Sequence, residues 1–340
     1  MDLQILELGS QDGAMATIGG ARPLRVNKRG DVQIMTQRGV WVNSLLQRDE
    51  WVEVDSAVVA AARQKLKIVE DLRARGLRSQ LGSIASVVSR YYTISEVSAA
   101  SVNMTGRGGS NRDLPEQIEV NVPVPVIFKD FEIPTRALLA SRRMGDGLDT
   151  LAAGTAAGVV AEALEDMTIG LSTLRLNGQP LYGMINHPNR NTATAAGLGG
   201  GDFGTITNIM PTVIGMINMA KADNHYGPYV LYLSGNQYTE TLQTYSDGSG
   251  QTARRRILES IPEIKDIVEL PRLTDSNALL VQMDKETIDF AEPADVVGVQ
   301  VREWTSDDGL ASNFKVMAVF APRPKADQAL RSGIQHITGN

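Results

Sequence analysis

The chain has 340 residues, of which 42% are hydrophobic, and it carries a net charge of -6 with no cysteine. A packed core is therefore available, whereas disulfides, thiolate metal sites and a cysteine nucleophile are excluded. The acidic balance argues against a protein that binds nucleic acid over a broad surface.

No segment predicts secretion or membrane insertion. Asp2 and Glu7 stand where a signal peptide carries Lys or Arg, and no apolar stretch follows them. The most apolar run, 148–161, stops at Glu162, far short of the roughly 20 residues that a membrane span needs. We expect a soluble protein made in a reducing cytosol, with no membrane partner.

Residues 1–47 show no sustained hydrophobic period. They are rich in Gly, Gln, Asn and Arg, which is typical of an extended arm that lies on another surface. An arm that touches nucleic acid is the alternative, since between Ala21 and Arg38 five cations stand against the single acid Asp31. Four of these cations are Arg22, Arg25, Lys28 and Arg29.

A long amphipathic helix is predicted over 49–75. Apolar residues from Trp51 to Leu72 recur every three or four positions, acidic residues fill the first turn, and Gly76 follows the last turn. A second long helix is predicted over about 147–175. Its small side chains favour a buried helix that approaches another backbone closely.

A long hairpin is predicted between these two helices. A strand containing Val88 and Tyr92 precedes a Gly-rich tip, and the alternating strand 117–122 follows that tip. Such a hairpin has little core of its own, so we expect it to lean on another surface.

The rest of the chain predicts a third helix, from about Asn208 to Ala220, and then mainly strands. Pro211 is tolerated only near the first turn of that helix. The predicted strands are 229–233, 267–270, 278–283, 287–291, 296–304 and 314–320, and the predicted short helices are 236–244 and 253–260.

Catalytic and cofactor motifs are absent from the sequence. The Gly-rich segment 197–204 lacks the Lys-Ser/Thr of a phosphate loop and has no suitable strand–helix context. His187, His225 and His336 do not have metal-ligand spacing, and no serine lies in a nucleophile elbow. We therefore predict no enzyme activity, no cofactor and no metal, although abundant carboxylates leave an enzyme formally open.

The order of these elements resembles the major capsid proteins of tailed phages with the Hong Kong ninety-seven type coat fold, and within them the encapsulin-like branch. The most specific stretch runs from Ala222 to Tyr238 and reads ADNHYGPYVLYLSGNQY. Asp49 to Asp55 and Leu181 to Asn186 are similar to other segments of encapsulin shells. The resemblance covers roughly residues 48–322.

The resemblance implies an α+β fold with a fixed set of parts. These are an N-terminal arm (1–47), the first helix region of the P-domain (48–87), an E-loop hairpin (88–123), the P-domain with its spine helix (124–201), an A-domain (202–302), and a C-terminal P-domain strand and tail (303–340).

It also implies two contact regions between subunits. The E-loop tip, which overlaps a neighbour, is Thr105, Gly106, Arg107, Gly108, Gly109 and Arg112. The loop at the capsomer centre is Asp247, Gly248, Ser249, Gly250, Arg254, Arg255 and Arg256. We expect these three arginines to pair with acids of the adjacent subunit, such as Glu259 or Glu263; a solvated helix face is the alternative.

The function implied is that of a phage major capsid protein, which forms pentamers and hexamers of an icosahedral shell around double-stranded DNA. Its partners would be itself, neighbouring capsomers, DNA through weak contacts of the inner-surface arm, and separate scaffold, portal or cement proteins. It would assemble in the bacterial host cytoplasm and reside in the virion. The alternative is an encapsulin shell around a cargo enzyme; the 47 residues before Arg48 favour the phage coat.

Overall fold

The computed structural model describes residues 46–100, 102, 104–105, 113–144, 150–201, 203–246, 250–305 and 311–338, and four short strands nearer the N terminus. Those strands are β1 Met15–Ala16, β2 Leu24–Val26, β3 Val32–Met35 and β4 Trp41–Asn43, paired antiparallel in that order. The sequence did not predict them, because a local meander of two to four residues per strand needs no sustained hydrophobic period.

The rest of the chain contains seven α-helices and fifteen strands among its described residues. The helices are α1 Arg48–Lys65, α2 Ile68–Ala74, α3 Thr135–Met144, α4 Leu151–Ile169, α5 Ile206–Ala222, α6 Gly235–Glu240 and α7 Ala253–Ser260. The strands are β5 Arg78–Leu81, β6 Val88–Ile94, β7 Gln117–Pro123, β8 Val126–Pro134, β9 Leu174–Leu176, β10 Gln179–Leu181, β11 Asn191–Thr194, β12 Tyr229–Leu233, β13 Ile264–Glu269, β14 Ala278–Gln282, β15 Ile288–Pro293, β16 Gln300–Thr305, β17 Ala311–Val319, β18 Ala321–Pro324 and β19 Ile334–Thr338.

Two hydrophobic cores organise these elements. In the first core, α1, α2 and α4 pack with the three-stranded sheets β18-β15-β5 and β16-β17-β8. In the second core, α5 and α7 pack on the five-stranded sheet β11-β19-β14-β12-β13. Strand β12 serves both, since Tyr232 belongs to the first core and Leu231 to the second. This alternation is the period-2 geometry of a strand buried on both faces.

The predicted helix 49–75 is two helices, which corrects the sequence interpretation. The backbone at Leu66 is extended, and α2 begins two residues later. A buried carboxylate on α4 stabilises the break: Glu165 Oε1 accepts the backbone N–H groups of Lys67 at 2.9 Å and Ile68 at 2.6 Å. The carboxylate thus satisfies donors that the start of a helix leaves unpaired.

The predicted second helix is shorter than expected. α4 ends at Ile169 because Gly170 adopts φ 92°. Gly183 packs directly against this end, since a Cβ there would lie 2.4 Å from the Gly170 nitrogen. This close backbone approach lies outside the run of small residues for which it was predicted, and a Cβ on Gly158 within that run would meet nothing within 4 Å.

The Gly-rich segment 197–204 is a packing element. A Cβ on Gly200 would lie 2.0 Å from Thr212 Oγ1, and a Cβ on Gly215 would lie 2.6 Å from Leu198 Cβ. Glycine is required at both positions because this segment and α5 are in close contact.

The sheets do not follow the chain segments 202–302 and 303–340 that the sequence analysis delimited. The predicted tail of 303–340 contains β19, which lies between β11 and β14 in the five-stranded sheet. Strands β15 and β16, grouped with the A-domain segment 202–302, pair instead within the first core. Local patterns predict that a segment is a strand but not which strand it pairs with. The sequence analysis also missed the short helix α3.

Candidate assembly surfaces

The hairpin of β6 and β7 is largely exposed. Its register pairs Val88 with Pro123 and Ile94 with Gln117. Alternate residues of a strand lie on the same face of the hairpin. One face therefore carries Val88, Arg90, Tyr92 and Ile94 of β6. All four are exposed. We call this surface the outer face of the hairpin.

Apolar side chains continue from the outer face towards the tip. Val102 is 95% exposed, and Met104 is fully exposed. The other large apolar residues exposed on or beside the hairpin are Val87, Val97, Leu114 and Ile118. A patch of this kind is typical of a protein–protein contact.

The base of the hairpin is fixed to the body by a buried arginine. Arg323 Nη1 donates to Ser89 Oγ at 2.8 Å and to the Arg90 carbonyl at 3.4 Å. The same guanidinium forms a bidentate pair with Asp289, at 2.7 and 2.5 Å, and both side chains are at most 5% exposed. Lys325 Nζ adds a third contact to Asp289 at 3.0 Å.

Most of the predicted E-loop tip lies outside the described residues. Thr105 is described and exposed. Gly106, Arg107, Gly108, Gly109 and Arg112 lie outside the described part, as do Arg22, Lys28 and Arg29 of the predicted arm; Arg25 is within β2.

The loop between α6 and α7 forms the second predicted surface. Thr244 and Thr252 form an isolated antiparallel bridge, and Gly250 has φ 63°. The Thr252 hydroxyl caps α7 by accepting the Arg255 backbone N–H at 3.3 Å. Asp247, Gly248 and Ser249 lie outside the described residues.

The arginines beside this loop have partners within their own chain, and their pairing with acids of an adjacent subunit stays a prediction. Arg255 pairs with Glu259 at 2.7 Å, and Arg254 approaches Asp266 at 3.4 Å. The Arg256 guanidinium lies 4.5 Å from the centre of the Tyr245 ring. Glu263, the other acid considered, pairs with Lys221. Helical spacing could have indicated the Arg255–Glu259 pair, since the two residues are four apart.

A further exposed surface was not anticipated from the sequence. On α3 only Leu138 is a buried apolar residue, while Leu139 and Met144 are exposed. The neighbouring edge strand β8 exposes Phe128, and Lys315 Nζ lies 4.3 Å from the centre of its ring. Arg142 attaches α3 to α1 through two 2.7 Å contacts with Glu50. The sequence offered no clear signal for this surface, since residues 126–133 do not alternate between polar and apolar.

Several buried ionisable groups hold the elements together. Burial raises the pKa of Glu165 to about 7, although the N–H groups of Ile68 and Lys67 lower it. Burial lowers the pKa of His187 and of His336 to about 4, with the charge of Arg190 acting in the same direction. Arg190 Nε donates to His336 Nδ1 at 3.2 Å, so the neutral histidine accepts there and donates from Nε2 to Asn277 at 3.0 Å. These contacts are structural.

Comparison with known proteins gives the family. Residues 41–336 match a family described as a family of unknown function, DUF6260. The chain belongs to DUF6260. The match includes β4 and every element from α1 to β18, and all but the last residues of β19.

Solved structures and a curated relative give the fold. A virus-like particle from Pyrococcus furiosus superposes with a TM-score of 0.59 at 13% identity, covering 83% of this chain and 97% of the other. The capsid of Myoviridae phage XM1 gives 0.57 at 13% identity, covering 77% and 88%. The type 1 encapsulin shell protein EncA of Myxococcus xanthus is 24% identical over 254 residues, or 74% of this chain and 82% of EncA. The predicted α+β fold of the Hong Kong ninety-seven type is thus confirmed.

Among the described residues, no helix has the length and apolarity to cross a membrane. In that same part of the chain, no three His, Asp or Glu side chains are grouped as metal ligands would be.

Proposed function

We propose that this protein is the major capsid protein of a tailed phage, which assembles through pentamers and hexamers into a shell around double-stranded DNA. The observation that carries the proposal is the outer face of the hairpin. A two-stranded hairpin is marginally stable alone, and this one exposes Val88, Tyr92 and Ile94 on a single face. A second copy of the chain is the partner that would cover it.

The coat fold supports the choice of partner. Shell proteins of this fold build closed assemblies from many copies, and two such proteins superpose on this chain over most of their length. In this proposal the α6–α7 loop lies near the centre of each capsomer, and the role of the protein is structural and not enzymatic. Scaffold, portal or cement proteins would be separate chains.

The strands that precede α1 favour a phage coat. Cations of this region, Arg22, Arg25, Lys28 and Arg29, would lie on the inner surface and contact DNA weakly. Weak contact suits packaging, since each neutralised phosphate adds salt-dependent affinity that hinders the movement of DNA. An arm located wholly on the outside of the particle, in an image reconstruction, would contradict this assignment.

The second candidate is an encapsulin shell around a cargo enzyme, and the similarity to EncA over 82% of that protein favours it. Purified particles separate the two candidates. Nuclease-protected double-stranded DNA within the particles is the result we expect. A co-purifying enzyme without DNA would establish the encapsulin instead, and a monodisperse monomer under all conditions would exclude both.

A further inference from the structure

The segment between β18 and β19, residues 325–333, touches three parts of the fold, and we call it the brace. At its start, the Lys325 backbone N–H donates to the Thr287 carbonyl at 2.8 Å. At its end, the Gly333 carbonyl accepts the Gln282 N–H at 2.9 Å. The brace therefore runs from the three-stranded sheet that contains β18 to the five-stranded sheet that contains β19.

An ion pair between Asp327 and Arg331 links two positions within the brace. Arg331 donates its backbone N–H to Asp327 Oδ1 at 2.8 Å and its Nε to Oδ2 at 2.7 Å. Asp327 N–H donates in turn to the Arg331 carbonyl at 3.0 Å. The Ser332 hydroxyl also donates to the Lys325 carbonyl at 3.2 Å. A segment with this many internal bonds presents its remaining side chains in fixed directions.

Two of those side chains hold the hairpin. Gln328 Nε2 donates to the Thr93 carbonyl of β6 at 3.1 Å and to the Glu116 carbonyl, just before β7, at 3.0 Å. One amide group thus bonds both sides of the hairpin. Arg331 forms an ion pair with Glu96, which follows β6. The brace meets the hairpin farther from its base than Arg323 does, since Arg323 contacts Ser89 and Arg90.

We propose that the brace sets the direction in which the hairpin leaves the body, with Gln328 and Arg331 as positioning residues. Contacts at two points along β6, near Ser89 and near Thr93, fix the direction of the hairpin, whereas a single contact would let it pivot. Because the brace joins two sheets, a rotation of one sheet against the other also turns the hairpin. The consequence for assembly rests on the proposed function: the angle of the hairpin would set how a neighbouring copy docks.

The test uses hydrogen–deuterium exchange on the full chain in three variants. Gln328→Glu keeps the shape but removes both N–H donors and directs a carboxylate at two carbonyl oxygens. Glu96→Gln removes the ion pair at a side chain that is 71% exposed, so folding is not at risk. Gln243→Glu, the same substitution at an exposed position in the chain segment after α6, is the matched control.

We expect exchange in 88–94 and 117–123 to rise about tenfold in Gln328→Glu and about threefold in Glu96→Gln, with α4 unchanged. The control should match the unaltered chain. Unchanged hairpin exchange in both test variants overturns the proposal, and so does a rise in Gln328→Glu that extends equally to α4, because that is general destabilisation.

Direction itself is measured by spin labels, since the chain has no cysteine and two can be introduced cleanly. Labels at Ala99→Cys and Asp275→Cys, diluted with unlabelled chain, report the distance from the hairpin to the body. We expect the distribution of distances between the two labels to broaden in Gln328→Glu and to keep its width in the control. An unchanged width in Gln328→Glu overturns the proposal. The readouts do not need shells, so if no shells form but the distribution broadens, only the proposed function fails.

Discussion

The hydroxyl of Tyr232 donates a 2.5 Å hydrogen bond to Oδ2 of Asp71, and this bond joins the five-stranded sheet to α2. Asp71 also accepts from Arg75 at 2.8 Å, so the carboxylate is held from two sides. Burial raises the pKa of Tyr232 well above its ordinary value, and the adjacent charge of Asp71 acts in the same direction. The tyrosine therefore remains a donor throughout the physiological range.

Tyr232→Phe removes this bond without creating a cavity. We expect a loss of about 2 kcal/mol in the free energy of unfolding, because the acceptor is charged and the tyrosine is fully buried. Tyr229→Phe, on the same strand, removes a bond to the uncharged His225 carbonyl and should cost about 1 kcal/mol. Urea unfolding of the two variants measures the difference; equal costs would contradict the importance of the Asp71 contact.

Glu165 gives the protein a pH-dependent stability. Its pKa is about 7 in the folded state, above its ordinary value of 4.5. Between these values the folded chain holds a proton that the unfolded chain has released, so the free energy of unfolding falls as pH rises from about 4.5 to about 7. Glu165→Gln should remove this part of the slope, as measured by urea midpoints from pH 5 to 8.

Glu162→Gln is the control for that measurement. Glu162 lies one turn earlier on α4, and its pKa is lowered by the hydrogen bond from Lys65, against a smaller effect of burial. It is ionised in both states above pH 5, so its substitution should leave the slope between pH 5 and 8 unchanged. If the stability of Glu165→Gln and of the unaltered protein has the same pH slope, the Glu165 carboxyl group does not titrate between pH 5 and 8.

Removing the charge of Arg323 should be severely destabilising. Arg323→Met leaves the buried Asp289 without its bidentate partner, and a loss of about 3–5 kcal/mol is expected. Lys65→Met breaks a half-exposed pair with Glu162 and should cost under about 1 kcal/mol. Thermal unfolding compares the two, and a cost for Arg323→Met no greater than that of the control would be the contrary result.

Arg255→Glu should leave both folding and assembly nearly unchanged. Position 255 is the third residue of α7, after Thr252 as N-cap, so a glutamate completes a capping box there. This gain offsets the loss of the exposed pair with Glu259, so the free energy of unfolding should change little. Particle yield after size-exclusion chromatography is the measurement, and loss of particles would reveal an acid partner on a neighbouring copy.

Boiling mature particles in detergent should give a single band near 36.7 kDa. An isopeptide bond of the kind that locks some coats needs a lysine amine on the hairpin, and residues 68–128 contain no lysine. The absence of cysteine removes the disulfide route as well. A ladder of multimers without added cross-linker would contradict a shell held by non-covalent contacts.

Elements with complete local signals were predictable from the sequence. The strand Tyr229–Leu233 and the helix Ala253–Ser260 have the predicted bounds, since each combines an uninterrupted pattern with clear flanking residues. The hairpin and its strand around 117–122 were predictable for the same reason.

Features set by distant residues were not predictable. The break between α1 and α2 depends on Glu165, almost 100 positions away, and no local pattern marks it. The brace depends on Gln328 meeting two carbonyls more than 200 positions earlier. Both use polar side chains in contacts with backbone groups, which leave no hydrophobic period in the sequence.

The position of β19 orders events during synthesis. Because residues 334–338 fill the space between β11 and β14, the five-stranded sheet has an open seam until they leave the ribosome. The brace, which immediately precedes β19, is likewise unsecured until then. A chain that stops before residue 334 therefore lacks both the closed sheet and a brace anchored at its two ends. Its hairpin would be held by Arg323 at the base alone, so its direction would depend on a single point of attachment.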